Sequence, residues 1–270
     1  MTVVSAFIIP ASPLPMVHGS NPPWGAFAEA MDEAGRRLAE TDPDVILIYS
    51  TAWYAVLDQL WQMRAHVKGV HVDENWHEYG NMPFDMHIHQ PYTAACIEAT
   101  AKINIRSRAV DYDAFPIDTG TIGANHFLNK EHKYKLAITS NNLYHDGRLT
   151  GQLARVAAKQ ADQIGLRVAV VGIGGLSGSF FRHEINIADD RIENPIEDNC
   201  NKEFLTLIEQ NDGPVLLSGI EGYVPAARAD MGMKHLYFVL GAMADDYQKA
   251  EVLHYGPLYG AGGAVISFVP

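Results

Sequence analysis

The sequence has little cysteine and little positive charge, and each shortage excludes a class of protein. Only two cysteines, Cys96 and Cys200, occur among the 270 residues. Two are too few for a disulfide framework or a cysteine-based zinc site. Charged residues make up 19% of the chain, the net charge is −12, and Lys and Arg form no cluster. Because nucleic acids and anionic membrane surfaces bind clustered positive charge, we expect neither as a partner.

Long apolar runs are also missing, so the sequence predicts no membrane span. The first apolar run, Val3 to Ile9, is short, and no basic residue precedes Arg36. It therefore lacks the positive flank of a signal peptide, and we expect a cytoplasmic protein. The hydrophobic fraction is nevertheless 47%. That fraction is sufficient for one large core or two closely packed halves.

Short apolar runs alternate with amphipathic segments along much of the chain. The runs 3–9 and 45–49 are typical of buried strands, and the helix predicted between them begins near Pro23 and Trp24. A strand, a helix and a second strand in this order form a βαβ unit with a parallel pair. The further predicted strands are 135–139, 167–171, 215–217, 252–255 and 264–268.

Three more helices and one irregular segment complete the prediction. Thr150 is a candidate cap for a helix that ends near residue 164. A helix is predicted around 204–208, and a last one from about 226 to 243. The segment from about 57 to 130 shows no clear period and is rich in His, Asn, Pro and aromatic residues. We therefore predict a single α/β domain spanning 1–270, in which helices cover a central mixed, partly parallel sheet and about 57–130 is an irregular insertion.

Two patterns that suggest chemistry are incomplete. The glycine-rich stretch Gly172 to Gly178 follows a predicted strand, but its third glycine comes one position late for a dinucleotide-binding loop. A tight loop that approaches another segment is the favoured interpretation. Ser140 and Ser177 lie at strand ends without the Gly-x-Ser-x-Gly turn that exposes a nucleophilic serine.

The twelve histidines allow a metal site without establishing one. Imidazole and carboxylate ligands suit zinc or non-heme iron, but no helical His-Glu-x-x-His spacing occurs. Hydrogen bonding at the surface is the favoured role, and metal binding stays open. The candidate ligands are His66, His71, Asp73, His87 and His89.

The order and spacing of five segments point to a known family. The segments are the opening strand with its proline-rich loop and Asn21-Pro22-Pro23, then 43–50, 118–121, 174–178 and 240–243. In this order they resemble the class III extradiol dioxygenases, which are ring-cleaving non-heme-iron enzymes, over nearly the whole chain. The resemblance implies the α/β fold of their catalytic subunits.

The same resemblance implies that this chain lacks the catalytic side chains. Active members bind Fe(II) through two His and one Glu, and further His residues move protons. Ser12 and Ala52 stand at the two His ligand positions, and Gly232 stands at the Glu position, with Asp230 two residues away. Thr119 and Gly178 stand at the acid–base positions.

The resemblance therefore implies a non-catalytic, structural or regulatory alpha subunit with no metal of its own. Fe(II) would belong to a homologous beta subunit in an α2β2 assembly. The aromatic-rich segment of about 57–92 is the predicted contact region, because aromatic residues are enriched at interface cores. Two alternatives remain: an enzyme with a metal site rebuilt from the histidines above, and a stand-alone protein that binds an aromatic ligand in the vacated pocket.

Overall fold

A large mixed sheet forms the centre of the chain in the computed structural model, which describes residues 2–270. The strands are β1 (Val3–Ile9), β2 (Val45–Ala55), β3 (Gln59–Gln62), β4 (His66–His71), β5 (Met82–His87), β6 (Ser107–Val110), β7 (Lys135–Asn142), β8 (Val168–Ile173), β9 (Lys249–Leu258) and β10 (Ala261–Val269). The helices are α1 (Leu14–Val17), α2 (Pro22–Thr41), α3 (Gln90–Ala101), α4 (Thr119–Leu128), α5 (Gly147–Gln163), α6 (Pro195–Ile208), α7 (Gly213–Ala227) and α8 (Lys234–Ala242).

Eight strands make the main sheet, in the order β6-β3-β7-β2-β8-β1-β10-β9. The central strands β7, β2, β8 and β1 run parallel, whereas β10 pairs antiparallel with both β1 and β9. β4 and β5 form a separate antiparallel hairpin. The predicted mixed, partly parallel sheet is confirmed, and the first and last strands of the chain are neighbours within it.

Helices cover both faces of this sheet, so its central strands are buried on both sides. Along β1, Phe7 and Ile9 pack in the same apolar cluster as residues of α2 and α4. Ala6 and Ile8 face the opposite cluster, to which α5 and α8 contribute. This alternation is why the central strands have continuous apolar sequences. Among residues 2–270, no helix is both long and apolar enough to cross a membrane.

The segment 57–130 was predicted to be irregular, and that prediction is wrong. It contains β3, β4, β5, β6, α3 and α4. Its strands are short and partly polar, so they give a weak periodic signal. In β3, for example, Gln59 and Gln62 are buried, and the Gln59 amide donates a hydrogen bond to the hydroxyl of Thr139 at 2.8 Å.

The strand predicted at 215–217 is also wrong, because these residues belong to α7. The Asp212 carboxylate accepts a hydrogen bond from the Val215 amide at 3.0 Å, and Pro214 occupies the first turn of the helix. Both features favour the beginning of a helix. A three-residue apolar run cannot by itself distinguish a buried helix from a strand.

Two predicted helix boundaries change as well. The cap of α5 is Asp146 rather than Thr150, since the Asp146 carboxylate accepts from the Leu149 amide at 2.7 Å. The predicted last helix is interrupted. α7 ends at the left-handed residue Arg228, a tight turn spans Asp230–Met233, and α8 then begins at Lys234.

Candidate functional site

A cavity of about 950 Å³ opens where the parallel strands β1, β2 and β8 end. Carboxyl ends of parallel strands meet at one edge of a sheet, and this is where α/β proteins place their sites. The lining comes from the loop after β1, the end of β2, the β4–β5 loop, the glycine-rich loop and the turn before α8. Segments far apart in sequence therefore meet at one place.

Four of the five predicted site positions line this cavity. They are Ser12, Ala52, Thr119 and Gly178. Gly232 does not line it, although its neighbour Met231 and Asp230 do. The loop after β1 and the segments 50–53, 118–121 and 174–178 therefore each contribute residues to one cavity, whereas Gly232, which we expected to join them, does not.

The polar groups at these positions serve the local backbone. The Ser12 hydroxyl accepts a hydrogen bond from the Leu14 amide at 3.3 Å, at the beginning of α1. The Thr119 hydroxyl donates to the Ala11 carbonyl at 3.3 Å. A Cβ added at Gly178 would lie 2.7 Å from the Arg228 carbonyl oxygen, so a larger residue there requires the backbone to shift.

Asp230 places a carboxylate at the cavity, close to Gly232, where the family resemblance implies a Glu. Its Oδ2 accepts hydrogen bonds from the Thr51 hydroxyl and from the Gly175 amide, both at 2.9 Å. Gly232 has a positive φ of 63°, and a Cβ added there would meet no atom within 4 Å. The count along the sequence put Asp230 two residues away from the ligand position because it assumed an unbroken helix, whereas a turn spans Asp230–Met233.

Asp118, which precedes Thr119, caps α4. Its Oδ1 accepts from the Ser50 hydroxyl at 2.6 Å and from the Thr121 amide at 3.0 Å. The Thr121 hydroxyl donates to Oδ2 at 2.6 Å. These hydrogen bonds join the end of β2 to the beginning of α4 and fix the orientation of the carboxylate.

The donors around the cavity do not fit an Fe(II) site of the extradiol type. That site needs two imidazoles and a carboxylate with open positions. None of the residues that line the cavity is His or Cys, and its carboxylates are Asp73, Glu78 and Asp230. Only Asp230 lies near Gly232, the position at which the family resemblance implies the carboxylate ligand.

Arg228 and Ser177 also line the cavity, but their side chains form hydrogen bonds with residues that do not line it. The Arg228 guanidinium contacts the buried Glu197 carboxylate at 2.8 Å. Burial opposes ionisation of Glu197, but hydrogen bonds from Ser179 and Arg228 outweigh it and lower its pKa. The buried Ser177 hydroxyl oxygen accepts from the Asn201 amide at 2.8 Å. No imidazole lines the cavity to activate Ser177, which agrees with the missing nucleophile motif.

The histidines proposed as ligands do not form one centre. His66 and His87 group with Asp85 at the base of the β4–β5 hairpin. His71 lies at the other end of β4 and groups with Asp73 and Glu74. The fifth candidate, His89, caps α3, where its Nδ1 accepts from the Tyr92 amide at 3.2 Å.

A buried histidine that the sequence analysis did not single out lies in the first turn of α8. His235 is fully buried against Gly172 and Gly174, and neither ring nitrogen has a hydrogen-bond partner in the protein. Burial lowers its pKa to about 4, against a smaller opposing effect of Asp230. His235 is buried in α8 like the apolar residues around it. The helical period of the sequence therefore did not distinguish it from a core residue.

Comparisons with known proteins agree with this architecture. The sequence model of a family described as the catalytic LigB subunit of aromatic ring-opening dioxygenase matches residues 11–269. A crystal structure of an uncharacterized Escherichia coli K12 protein has the same fold, with a TM-score of 0.68 at 14% identity, and covers 98% of this chain and 99% of its own. The chain belongs to this family, which confirms the predicted fold class and the resemblance to extradiol dioxygenases.

Two curated relatives are subunits of one enzyme. The chain is 44% identical over 269 residues to the 2-aminophenol 1,6-dioxygenase alpha subunit of a Pseudomonas species, with 99% of both chains covered. It is 21% identical over 286 residues to the beta subunit of that enzyme from a Pseudomonas species, covering 98% of this chain and 93% of the relative.

Proposed function

We propose that this chain is the non-catalytic alpha subunit of a 2-aminophenol 1,6-dioxygenase, a two-subunit Fe(II) enzyme that opens the ring to 2-aminomuconic semialdehyde. The observation that carries the proposal is the 44% identity to an alpha subunit along the full chain. The cavity supports it, because Ser12, Ala52 and Thr119 offer no imidazole where the family resemblance implies one.

The iron belongs to the beta subunit in this proposal. Extradiol cleavage needs Fe(II) on two His and a carboxylate, and a further His to move protons. In this chain the Ser12 and Thr119 hydroxyls bind backbone groups, and the Asp230 carboxylate holds Thr51 and Gly175. Residues 1–270 act as one unit that contributes stability and an interface. Both cysteines are free thiols, which fits a reducing cytoplasm.

An exposed apolar patch is our candidate contact surface for the beta subunit. It is made by Tyr54 in the last residues of β2, by Leu57 just after β2, and by Leu143 and Tyr144 just after β7. The two chain segments are joined by a 2.9 Å hydrogen bond from the Leu143 amide to the Ala55 carbonyl. Leu57 is 78% exposed and Tyr144 81%. Apolar side chains this exposed and this close together are typical of interaction surfaces.

This patch refines the contact region predicted at about 57–92. Trp61, in that region, is fully buried in the chain's own core and is unavailable to a partner. Leu57 remains available at the edge of the region, near Leu143 and Tyr144 just after β7, which lie outside the predicted contact region. We expect an α2β2 assembly in which this surface contacts the beta subunit.

The decisive experiment is to express the beta subunit encoded with this chain, alone and together with it. Together we expect a stable complex that cleaves 2-aminophenol, with iron recovered in the separated beta subunit. Alone, the beta subunit should lose solubility or turnover. A beta subunit that is fully stable and active alone would contradict the proposal. Stoichiometric Fe(II) bound in the Ser12–Asp230 cavity would contradict it as well.

A stand-alone ligand-binding protein is the second candidate, and one observation favours it. Trp76 and Tyr259 line the cavity with ring centroids 4.8 Å apart, which is an aromatic wall suited to a planar ligand. Titration of the isolated chain with 2-aminophenol, followed by Trp fluorescence, tests it. A saturable change that Trp76→Leu removes, in a chain that does not associate with the beta subunit, would favour this second function.

A further inference from the structure

The β4–β5 hairpin carries two imidazoles and a carboxylate on one face, outside the cavity. His66 pairs with His87 and Lys68 pairs with Asp85 in the antiparallel register. Residues two apart on a strand point to the same side, so these four side chains are neighbours. None of them lines the cavity described above.

The nitrogen and oxygen atoms of this group are close to a coordination geometry. His66 Nε2 lies 2.7 Å from Asp85 Oδ1, and His87 Nε2 lies 3.9 Å from the same oxygen. The two imidazole rings are stacked, with centroids 4.4 Å apart and planes 8° from parallel. Tetrahedral ligands about 2.1 Å from a metal are roughly 3.4 Å apart. The three ligand atoms already lie within 4.8 Å of one another, so rotation of the two imidazole rings would bring them around an ion.

We propose that His66, Asp85 and His87 bind a divalent transition-metal ion of the Zn²⁺ class, with water in the remaining position. Lys68 Nζ binds Asp85 Oδ2 at 2.9 Å, which leaves Oδ1 for the metal. The ammonium is a like charge near the ion, and it weakens binding without blocking it.

The position of the site suggests a structural role. His66 begins β4 and His87 ends β5, so the ion would join both strands at the base of the hairpin. The loop at the other end of the hairpin carries Trp76 and Glu78, which line the cavity. A metal at the base closes this loop and restricts it, as any ligand that binds only the folded form stabilises that form.

The test uses the metal alone. Isothermal titration of the full chain with ZnCl₂ should show one saturable site, and Co²⁺ in its place should give the visible absorption of a coordinated ion. His66→Asn and His87→Asn should each weaken binding by about 100-fold. Lys68→Met should tighten it by about fivefold, because it removes the competing charge.

His71→Gln is the matched control, because it removes a ligand from the second cluster. There Asp73 already accepts hydrogen bonds from the Asn75 and Trp76 amides, at 2.9 and 3.1 Å. The control should bind Zn²⁺ like the unchanged chain. Zn²⁺ should also raise the melting temperature of the unchanged chain and leave that of folded His87→Asn unaffected. No saturable binding, or binding that survives both His66→Asn and His87→Asn, would overturn the proposal.

Discussion

The hydroxyl of Thr51 donates a 2.9 Å hydrogen bond to the carboxylate of Asp230, 179 residues later in the chain. The Gly175 amide donates to the same oxygen at 2.9 Å. Asp230 thereby joins β2 and the glycine-rich loop to the turn before α8. Two residues before Gly232, where the family resemblance implies the carboxylate ligand, this chain therefore has a carboxylate that holds two other chain segments in place.

Removing this carboxylate should lower stability in a graded way. Asp230→Ala leaves the buried Thr51 hydroxyl without its acceptor, and we expect the free energy of unfolding to fall by about 1–3 kcal/mol. Asp230→Asn keeps one acceptor oxygen and should lose less. Urea unfolding of both variants measures the difference. If Asp230→Ala were as stable as the unchanged chain, these hydrogen bonds would make no net contribution to the free energy of unfolding.

Rebuilding part of the iron site should not produce a dioxygenase. Ser12→His combined with Ala52→His places two imidazoles on the cavity that contains Asp230. Turnover of 2-aminophenol should stay absent, because Thr119 and Gly178 cannot transfer protons. The assay is anaerobic Fe(II) loading followed by O₂ consumption, with an intact beta subunit as the positive control. Ring cleavage by this double variant would contradict the assignment of positions 119 and 178.

A histidine at 178, the position that the family resemblance assigns to proton transfer, should be costly by itself. A Cβ there would lie 2.7 Å from the Arg228 carbonyl oxygen, so either backbone segment must move. We expect Gly178→His to destabilise the chain by about 1–3 kcal/mol. Thr119→His is the comparison, because that position already carries a side chain. If thermal unfolding shows Gly178→His to be the more stable variant, the close approach at this loop is not a constraint.

The parts of the fold that the sequence predicted well are those with one dominant physical signal. The parallel strands β1, β2, β7 and β8 are buried on both faces and have continuous apolar sequences, so their existence followed from the pattern. Because their carboxyl ends meet at one edge, the loop after β1 and the end of β2 could also be placed at one site. Ser12 and Ala52 themselves were identified only through the family resemblance.

The parts that were missed depend on a few residues with unusual backbone conformations or on tertiary contacts. Arg228 and Met231 have positive φ values of 47° and 43°, and nothing in their residue types indicates this. They interrupt the predicted helix, and they are why Asp230 rather than Gly232 faces the cavity. Gln59 in β3 is polar but buried, and its side-chain amide nitrogen donates a tertiary hydrogen bond to Thr139 on β7. The local sequence pattern does not show this contact, so it predicted irregular structure there.

Charge placed on the exposed apolar patch should impair assembly. Leu57 is largely exposed in the single chain, so Leu57→Asp should leave its folding intact. We expect the variant to lose most of its association with the beta subunit, because a charge buried at an interface core is unpaired. Co-purification and analytical ultracentrifugation measure this.

Ile196→Asp is the matched control for that experiment. Ile196 is 70% exposed, and it belongs to α6, which packs near β9 and β10 at the opposite edge of the sheet from β7. The same apolar-to-acidic change there should leave assembly unchanged. If Ile196→Asp abolished assembly and Leu57→Asp did not, the interface would lie at the other edge of the sheet, and our assignment would be wrong.

His235 should make the chain less stable as the pH falls below neutrality. Burial holds its pKa at about 4 in the folded chain, whereas an unfolded histidine titrates near 6.5. Between these values the unfolded chain binds a proton that the folded chain does not, so stability is constant above about pH 6.5 and declines from there towards pH 4. The full effect of this one residue is on the order of 3 kcal/mol.

Substituting His235 isolates this contribution. His235→Leu removes the titrating group and keeps an apolar side chain of similar size against Gly172 and Gly174, so its stability should fall less steeply between pH 6.5 and pH 4.5. Urea unfolding at a series of pH values measures the two slopes. His77→Gln, a substitution at an exposed histidine, should leave the original slope unchanged. If His235→Leu loses stability with pH as steeply as the unchanged chain, then His235 is protonated in the folded state and its burial does not control the acid sensitivity of the fold.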